Sequence, residues 1–207
     1  MKEFRGSEWY GECAMLTDRC NDYIQIEYKC NGSGILYDYA LFPGINLIFM
    51  DFNCSDIFHE PIPNKNIIEI RHYQKGRVEF ELRNNKVFHM KEGELCINAL
   101  ANVPAAYSFP FGYSVGLSCV IDKDSIDAKT KQIFSYYNND VLNLGQELEI
   151  EKKWFLCRTP QRLLHNFDEL YAAKGVEGKY YFRIKLLELF YHIKQLRIED
   201  QYEETYY

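Results

Sequence analysis

The stretch 67–98, IIEIRHYQKGRVEFELRNNKVFHMKEGELCIN, constrains the fold more than any other part of this chain. Between Arg77 and Arg83, the residues Val78, Phe80 and Leu82 alternate with Arg77, Glu79, Glu81 and Arg83. That is the period of two of a half-buried strand. Four short strand-like runs are punctuated by Gly76, Asn84-Asn85 and Gly93. Asn tolerates positive φ, so residues 86–90 are expected to fold back as a hairpin. Gly93 then turns the chain into residues 95–97. Strands this short, at this spacing, predict a small antiparallel barrel or sandwich.

The residues before this stretch fit the same reading. Residues 22–29 alternate as a strand, and Asn31-Gly32-Ser33-Gly34 is a turn signal. Residues 35–42 and 45–52 are apolar runs on either side of Pro43-Gly44, which predicts a hairpin. Pro61 and Pro63 make 53–66 a loop, and Pro104 and Pro110 make 101–111 a loop crossing the end of the barrel. Residues 113–122 (YSVGLSCVID) form the last long strand, so the β part is expected to span 1–122 and a helical part 123–207.

In the helical part, residues 123–138 fit a short amphipathic helix, with Asp122, Asp124 and Asp127 complementing its N-terminal dipole. Residues 141–156 fit either extended or helical structure. Thr159-Pro160 signals a helix start, Thr as cap and Pro in the first turn, and Gly175 and Gly178 end that helix. A final helix is expected over 179–199. There Phe182, Leu186, Leu189, Ile193 and Leu196 are spaced four, three, four, three, as in an a/d seam. Ile184, Leu187, Phe190 and Tyr191 widen the apolar surface, so the helix needs two partners. One is the preceding helix folded back as a hairpin; the other is the chain's own barrel or a second copy.

Composition narrows the function classes. A net charge of −6 disfavours duplex DNA and anionic membrane surfaces as direct partners. The opening MKEFRGSEWYGECAML lacks an uninterrupted apolar core, and no apolar run approaches membrane-spanning length, so a soluble cytoplasmic protein is expected. The 7 Cys are scattered without a C-x-x-C, which fits reduced thiols; Cys96 and Cys119 read as small core residues. Cys13, Cys20 and Cys30 match no common zinc spacing. The 17 Tyr and 14 Phe supply a core and could wall a pocket.

Enzyme signals are sparse. There is no G-x-S-x-G, P-loop, G-x-G-x-x-G or H-E-x-x-H. Glu69, six residues, then Gly76 matches the end of the first metal-cupin motif, G-x5-H-x-H-x3-4-E-x6-G. The two His would fall within 62–65, where the chain has Ile62, Pro63, Asn64 and Lys65. A metal site in its usual form is therefore not expected, and neither is a cofactor. A non-standard site would draw on His59, His72, Glu60 and Glu69. His72 shares strand parity with Ile68 and Ile70 and should point the way they do.

The segments FPGINLIFMDF, EIRHYQKGRVEFEL, KEGELCIN and FPFGYSVGLSCVID, followed by a helical hairpin, resemble the sensor half of AraC/XylS-type transcription regulators. The resemblance covers roughly residues 35–196 and rests on the Gly76 turn, the Gly93-Glu94 turn and the FPFGYSVG stretch. It implies an α+β fold, a cupin-like antiparallel β-barrel followed by a C-terminal helical hairpin. It implies a small-molecule effector in the barrel, a homodimer and no catalysis. On this reading the pocket candidates are His72, Tyr73, Phe80, His89, Tyr107 and Phe109. The dimerisation candidates are Phe182, Leu186, Leu189, Ile193 and Leu196. The family reads DNA through C-terminal helix-turn-helix units, whereas this chain ends at Tyr207. DNA is thus expected as a partner only through a domain outside it. The competing expectation is a cupin-fold metal-dependent isomerase or dioxygenase.

Overall fold

The structure is a computed structural model that describes residues 10, 14–28, 31–58, 66–81, 87–99, 104, 106–138, 141–151 and 153–202. The strands are β1 (Ala14–Arg19), β2 (Ile24–Tyr28), β3 (Gly32–Phe42), β4 (Ile45–Cys54), β5 (Asp56–Phe58), β6 (Ile67–Glu81), β7 (Val87–Lys91), β8 (Glu94–Ala99), β9 (Ala106–Ser108), β10 (Ser114–Asp122) and β11 (Phe155–Arg158). The helices are α1 (Ala128–Tyr136), α2 (Leu144–Glu147), α3 (Gln161–Ala173) and α4 (Lys179–Ile193).

All pairings among these strands are antiparallel, in the order β1-β2-β3-β4-β10-β6-β8-β11. The outer half of β6 pairs with β7 and β9, and β9 with β5. The fold is α+β, a curled antiparallel half-barrel with helices packed on one of its faces.

The sheet has a core on each face, because its central strands are apolar at both parities. One core joins Ile68, Ile70, Leu117, Cys119 and Phe49 to Leu163 and Phe167 of α3 and Phe182, Leu186 and Leu189 of α4. The other fills the curl with Ile26, Leu36, Ile48, Tyr73, Phe80, Phe88, Val120 and Trp154.

Three sequence expectations change. First, β6 is one strand of 15 residues, not two broken at Gly76. Gly76 adopts φ 88° inside it, next to the register shift at Val115/Gly116, where the strand passes from one pairing set to the other. Second, β5 and β9 are short strands inside the predicted loops, and β11 pairs with β8, so the sheet extends past the expected boundary at residue 122. Third, Thr159 does not cap α3; Pro160 precedes the first turn and the Thr159 hydroxyl is buried without a partner. The Asn84-Asn85 turn lies outside the described residues. At the expected helix start, Asp127 caps α1 by accepting from the Thr130 amide at 2.7 Å.

The seam of Phe182, Leu186, Leu189, Ile193 and Leu196 is buried within the chain itself. Phe182 packs on Tyr39 and Phe49, with ring centroids 4.6 and 5.5 Å away. Within this chain these residues pack against its own sheet and against α3. Burial of each large side chain contributes about 1.5–3 kcal/mol to the fold. The face of α4 turned to solvent carries Tyr180, Ile184 and Tyr191, 69%, 66% and 56% exposed. Asn166 of α3 donates to the Lys185 carbonyl at 3.2 Å, and the Lys185 ammonium bridges Glu169 and Glu188, which fastens α3 to α4.

Candidate functional site

Alternation along β6 sends Ile68, Ile70 and His72 to the helices and Ile67, Glu69, Arg71 and Tyr73 into the curl. A charged pair on a strand buried on both faces must satisfy its own hydrogen bonds. Arg71 Nη2 donates to Glu69 Oε2 at 2.6 Å and to the Tyr107 hydroxyl at 2.9 Å. The other Glu69 oxygen accepts from the Ser118 hydroxyl on β10. The guanidinium lies 5.1 Å from the Phe80 ring centroid and 5.2 Å from that of Tyr107, within cation–π range. Burial opposes the charge on Arg71, but the Glu69 carboxylate outweighs it and holds the guanidinium protonated. Burial pushes the Tyr73 and Tyr107 phenols upward, so both stay neutral.

Pairing registers extend this cluster across the sheet. One row runs Asp38, Ile48, Ser118, Arg71, Cys96, Leu156; the next runs Asn46, Val120, Glu69, Asn98. Asp38 accepts from Tyr10 at 2.6 Å and from Asn46 at 2.7 Å, and Tyr28 donates to the Tyr10 carbonyl at 2.8 Å. Burial raises the Asp38 carboxyl to about 6 despite those two hydrogen bonds. Gly116 makes room for the floor: a Cβ there would stand 2.7 Å from the Tyr73 ring. Arg71, Asn98 and Trp154 in this interior have hydrogen-bonding capacity left. Arg71 Nη1 and both amide atoms of Asn98 have no partner. Trp154, whose Nε1 is also unpartnered, stacks edge-on against Phe80 and Phe88 at 5.2 and 4.8 Å.

Of the predicted pocket residues, the structure brings Tyr73, Phe80, Tyr107 and Phe109 to this interior. Phe109 stacks on Phe52 at 5.2 Å, toward the β4 end. His72 follows Ile68 and Ile70 as parity predicts, but that face belongs to the helices. Its ring stacks on Phe167 at 4.2 Å, and its Nδ1 lies 3.1 Å from the Tyr171 hydroxyl, which donates to the His72 carbonyl at 2.9 Å. With that hydroxyl proton spent, Nδ1 is the donor and the imidazole is neutral. Burial lowers its pKa to about 4. His89 is half-buried and faces away from Phe88 and Met90, which point inward.

Glu69 and His72, three residues apart on one strand, point to opposite faces and cannot converge on an ion. His59, Glu60, Cys13 and Cys30 lie outside the described residues. No group of three His, Cys, Asp or Glu placed to hold a metal occurs among the described residues. No helix among them is long and apolar enough to cross a membrane.

Sequence reasoning missed Arg71, Ser118, Asn98, Asp38 and Asn46 as site residues. The readable signal was IIEIRHY, where Glu69 and Arg71 interrupt one parity while the other stays apolar. A charged pair two residues apart in such a strand has to meet on one buried face.

No protein-family model and no curated protein matches the sequence. Several solved structures are similar to it. The AraC-like transcriptional activator CuxR has 9% identity and a TM-score of 0.47, with 92% of this chain and 64% of that one covered. ToxT from Vibrio cholerae O395, bound to (E)-4-(8-methylnaphthalen-1-yl)but-3-enoic acid, has 8% identity and a TM-score of 0.44, with 73% and 57% covered. The Cupin_2 domain of an XRE family transcriptional regulator from Enterobacter cloacae has 12% identity and a TM-score of 0.36, with 42% and 94% covered. The chain thus spans less than two thirds of the length of CuxR and of ToxT.

Proposed function

We propose that this chain is the effector-sensing and dimerisation part of an AraC-type transcription regulator. A small molecule binds inside the curled sheet, and the α3–α4 hairpin passes the change to a DNA-binding domain outside this chain. The observation that carries this reading is the buried Glu69–Arg71–Tyr107 cluster, which holds an unspent guanidinium donor beneath aromatic walls. Desolvating a charged pair costs several kcal/mol per ion before the Coulomb gain. A hydrophobic pair would serve the fold alone at least as well. Polar groups retained in such a place, with donors to spare, suit recognition.

The route outward is short. On β6, Arg71 faces the site and His72 faces α3, so a shift of this strand moves both. An effector acts by binding two arrangements of these elements unequally. The regulator works in the cytoplasm, as a homodimer. With the predicted seam buried in its own chain, the dimer surface passes to the outward face of α4, Tyr180, Ile184 and Tyr191.

We read the chain as a sensor rather than an enzyme, because Glu69 already serves Arg71 and His72 lies on the other face. Native mass spectrometry of the chain, incubated with a small-molecule extract, tests the proposal. The expected result is a dimer retaining an organic adduct. A monomer carrying one transition metal per chain would move the assignment to a cupin-fold enzyme.

A further inference from the structure

Resting on the reading of the interior as an effector site, we propose that its ligand is neutral and presents a planar donor–acceptor edge, an amide or lactam, to Asn98 and Arg71. Asn98 carries the argument. It is 0% exposed, it sits opposite Glu69 in the β6–β8 register, and both atoms of its amide are unpartnered. A buried amide has an acceptor and a donor to satisfy, and a side chain that served packing alone would be Leu. Arg71 pairs with Cys96, two residues before Asn98, so Arg71 and Asn98 are diagonal neighbours on one face. Such neighbours stand roughly 7–8 Å apart, a span that one small ring can bridge.

The donor pattern selects the ligand. Arg71 Nη1 needs an acceptor, Asn98 Oδ1 needs a donor, and Asn98 Nδ2 needs an acceptor. The carbonyl and N–H of a single amide edge supply these together. The ring of Phe80 lies beside the guanidinium and Trp154 packs edge-on against Phe80, which gives an apolar wall for the rest of the molecule.

Charge selects against an acid. Among the described residues, Arg71 is the guanidinium facing the interior, and Glu69 at 2.6 Å already neutralises it. A carboxylate ligand would be a second carboxyl on a cation that already has one, in a place where desolvation of an unpaired charge is costly.

The test uses the full chain with nicotinamide and nicotinate, matched in shape and different in charge, titrated by protein NMR, together with thermal unfolding of Asn98→Leu without ligand. The expected results are nicotinamide binding at least tenfold tighter than nicotinate, a loss of tenfold or more in nicotinamide affinity in Asn98→Leu, and an unfolding temperature for that variant equal to or above wild type. Nicotinate binding as tightly as nicotinamide overturns the proposal. So does an Asn98→Leu variant that loses stability and keeps nicotinamide affinity, which would make Asn98 a structural residue served by buried water. If neither compound binds while an organic adduct is still retained in the native mass spectrum, this ligand class is wrong and the sensor reading stands. If neither binds and no adduct is retained, both fail.

Discussion

Asp38 and His72 are pushed by the same cause, burial, in ways that oppose each other on acidification. The Asp38 carboxyl rises from 3.8 to about 6, so its contribution to stability is fully present below pH 3.8 and is lost as pH rises through about 6. His72 falls from 6.5 to about 4, so its contribution is present above pH 6.5 and is lost as pH falls through about 4. Each is on the order of 3 kcal/mol, so the two largely cancel in the wild type across this window. Asp38→Asn should unmask His72, giving a protein that loses stability relative to wild type as pH drops from 7 to 4.5. His72→Gln should do the reverse. Urea unfolding at both pH values checks this, and equal pH slopes in all three proteins would rule it out. The Glu69–Arg71 pair gives a second prediction at this scale. Arg71→Met strands the Glu69 carboxylate and should cost about 3–5 kcal/mol, whereas Glu69→Gln with Arg71→Met should recover most of it. A double variant as unstable as the single one would show that the guanidinium contributes through packing instead. These residues were hard to read from sequence for a physical reason. Parity shows which residues share a face, but in a strand apolar on both faces it does not show which face the helices cover.

At the scale of elements, β3, β4 and β10 were legible because each is a largely apolar run bounded by a turn signal. Strand β6 was misread at Gly76, since a glycine that ends a strand and one that bends it look alike in sequence. The structure separates them. Gly76 has φ 88°, and a Cβ would come within 2.5 Å of the Tyr113 carbonyl oxygen. Gly76→Ala should therefore cost about 1–3 kcal/mol, more than an exposed glycine in an unstrained turn would. A loss below 0.5 kcal/mol in chemical denaturation would mean that β6 is two strands after all. Strand β11 escaped notice because four residues, FLCR, carry too few periods to distinguish extended from helical structure.

At the scale of the molecule, the single sheet with a core on each face accounts for the α4 seam within one chain. An a/d repeat records that a helix packs along one stripe; it is silent on whether the partner belongs to the same chain. Here the partners are β3, β4 and α3 of the same chain, and the repeat is spent on folding. Leu186→Ala should accordingly cost 2–5 kcal/mol, roughly, by opening a cavity between helix and sheet. The other apolar stripe, Tyr180, Ile184 and Tyr191, contributes little to the monomer because water still reaches it. A charge placed there separates assembly from folding. Ile184→Glu should leave the unfolding free energy within about 0.5 kcal/mol of wild type, as surface substitutions do. It should also shift the chain from dimer to monomer in light scattering at tens of micromolar protein. A wild-type chain that is already monomeric at that concentration, or an Ile184→Glu variant that stays dimeric, would take the dimer contact off this face of α4.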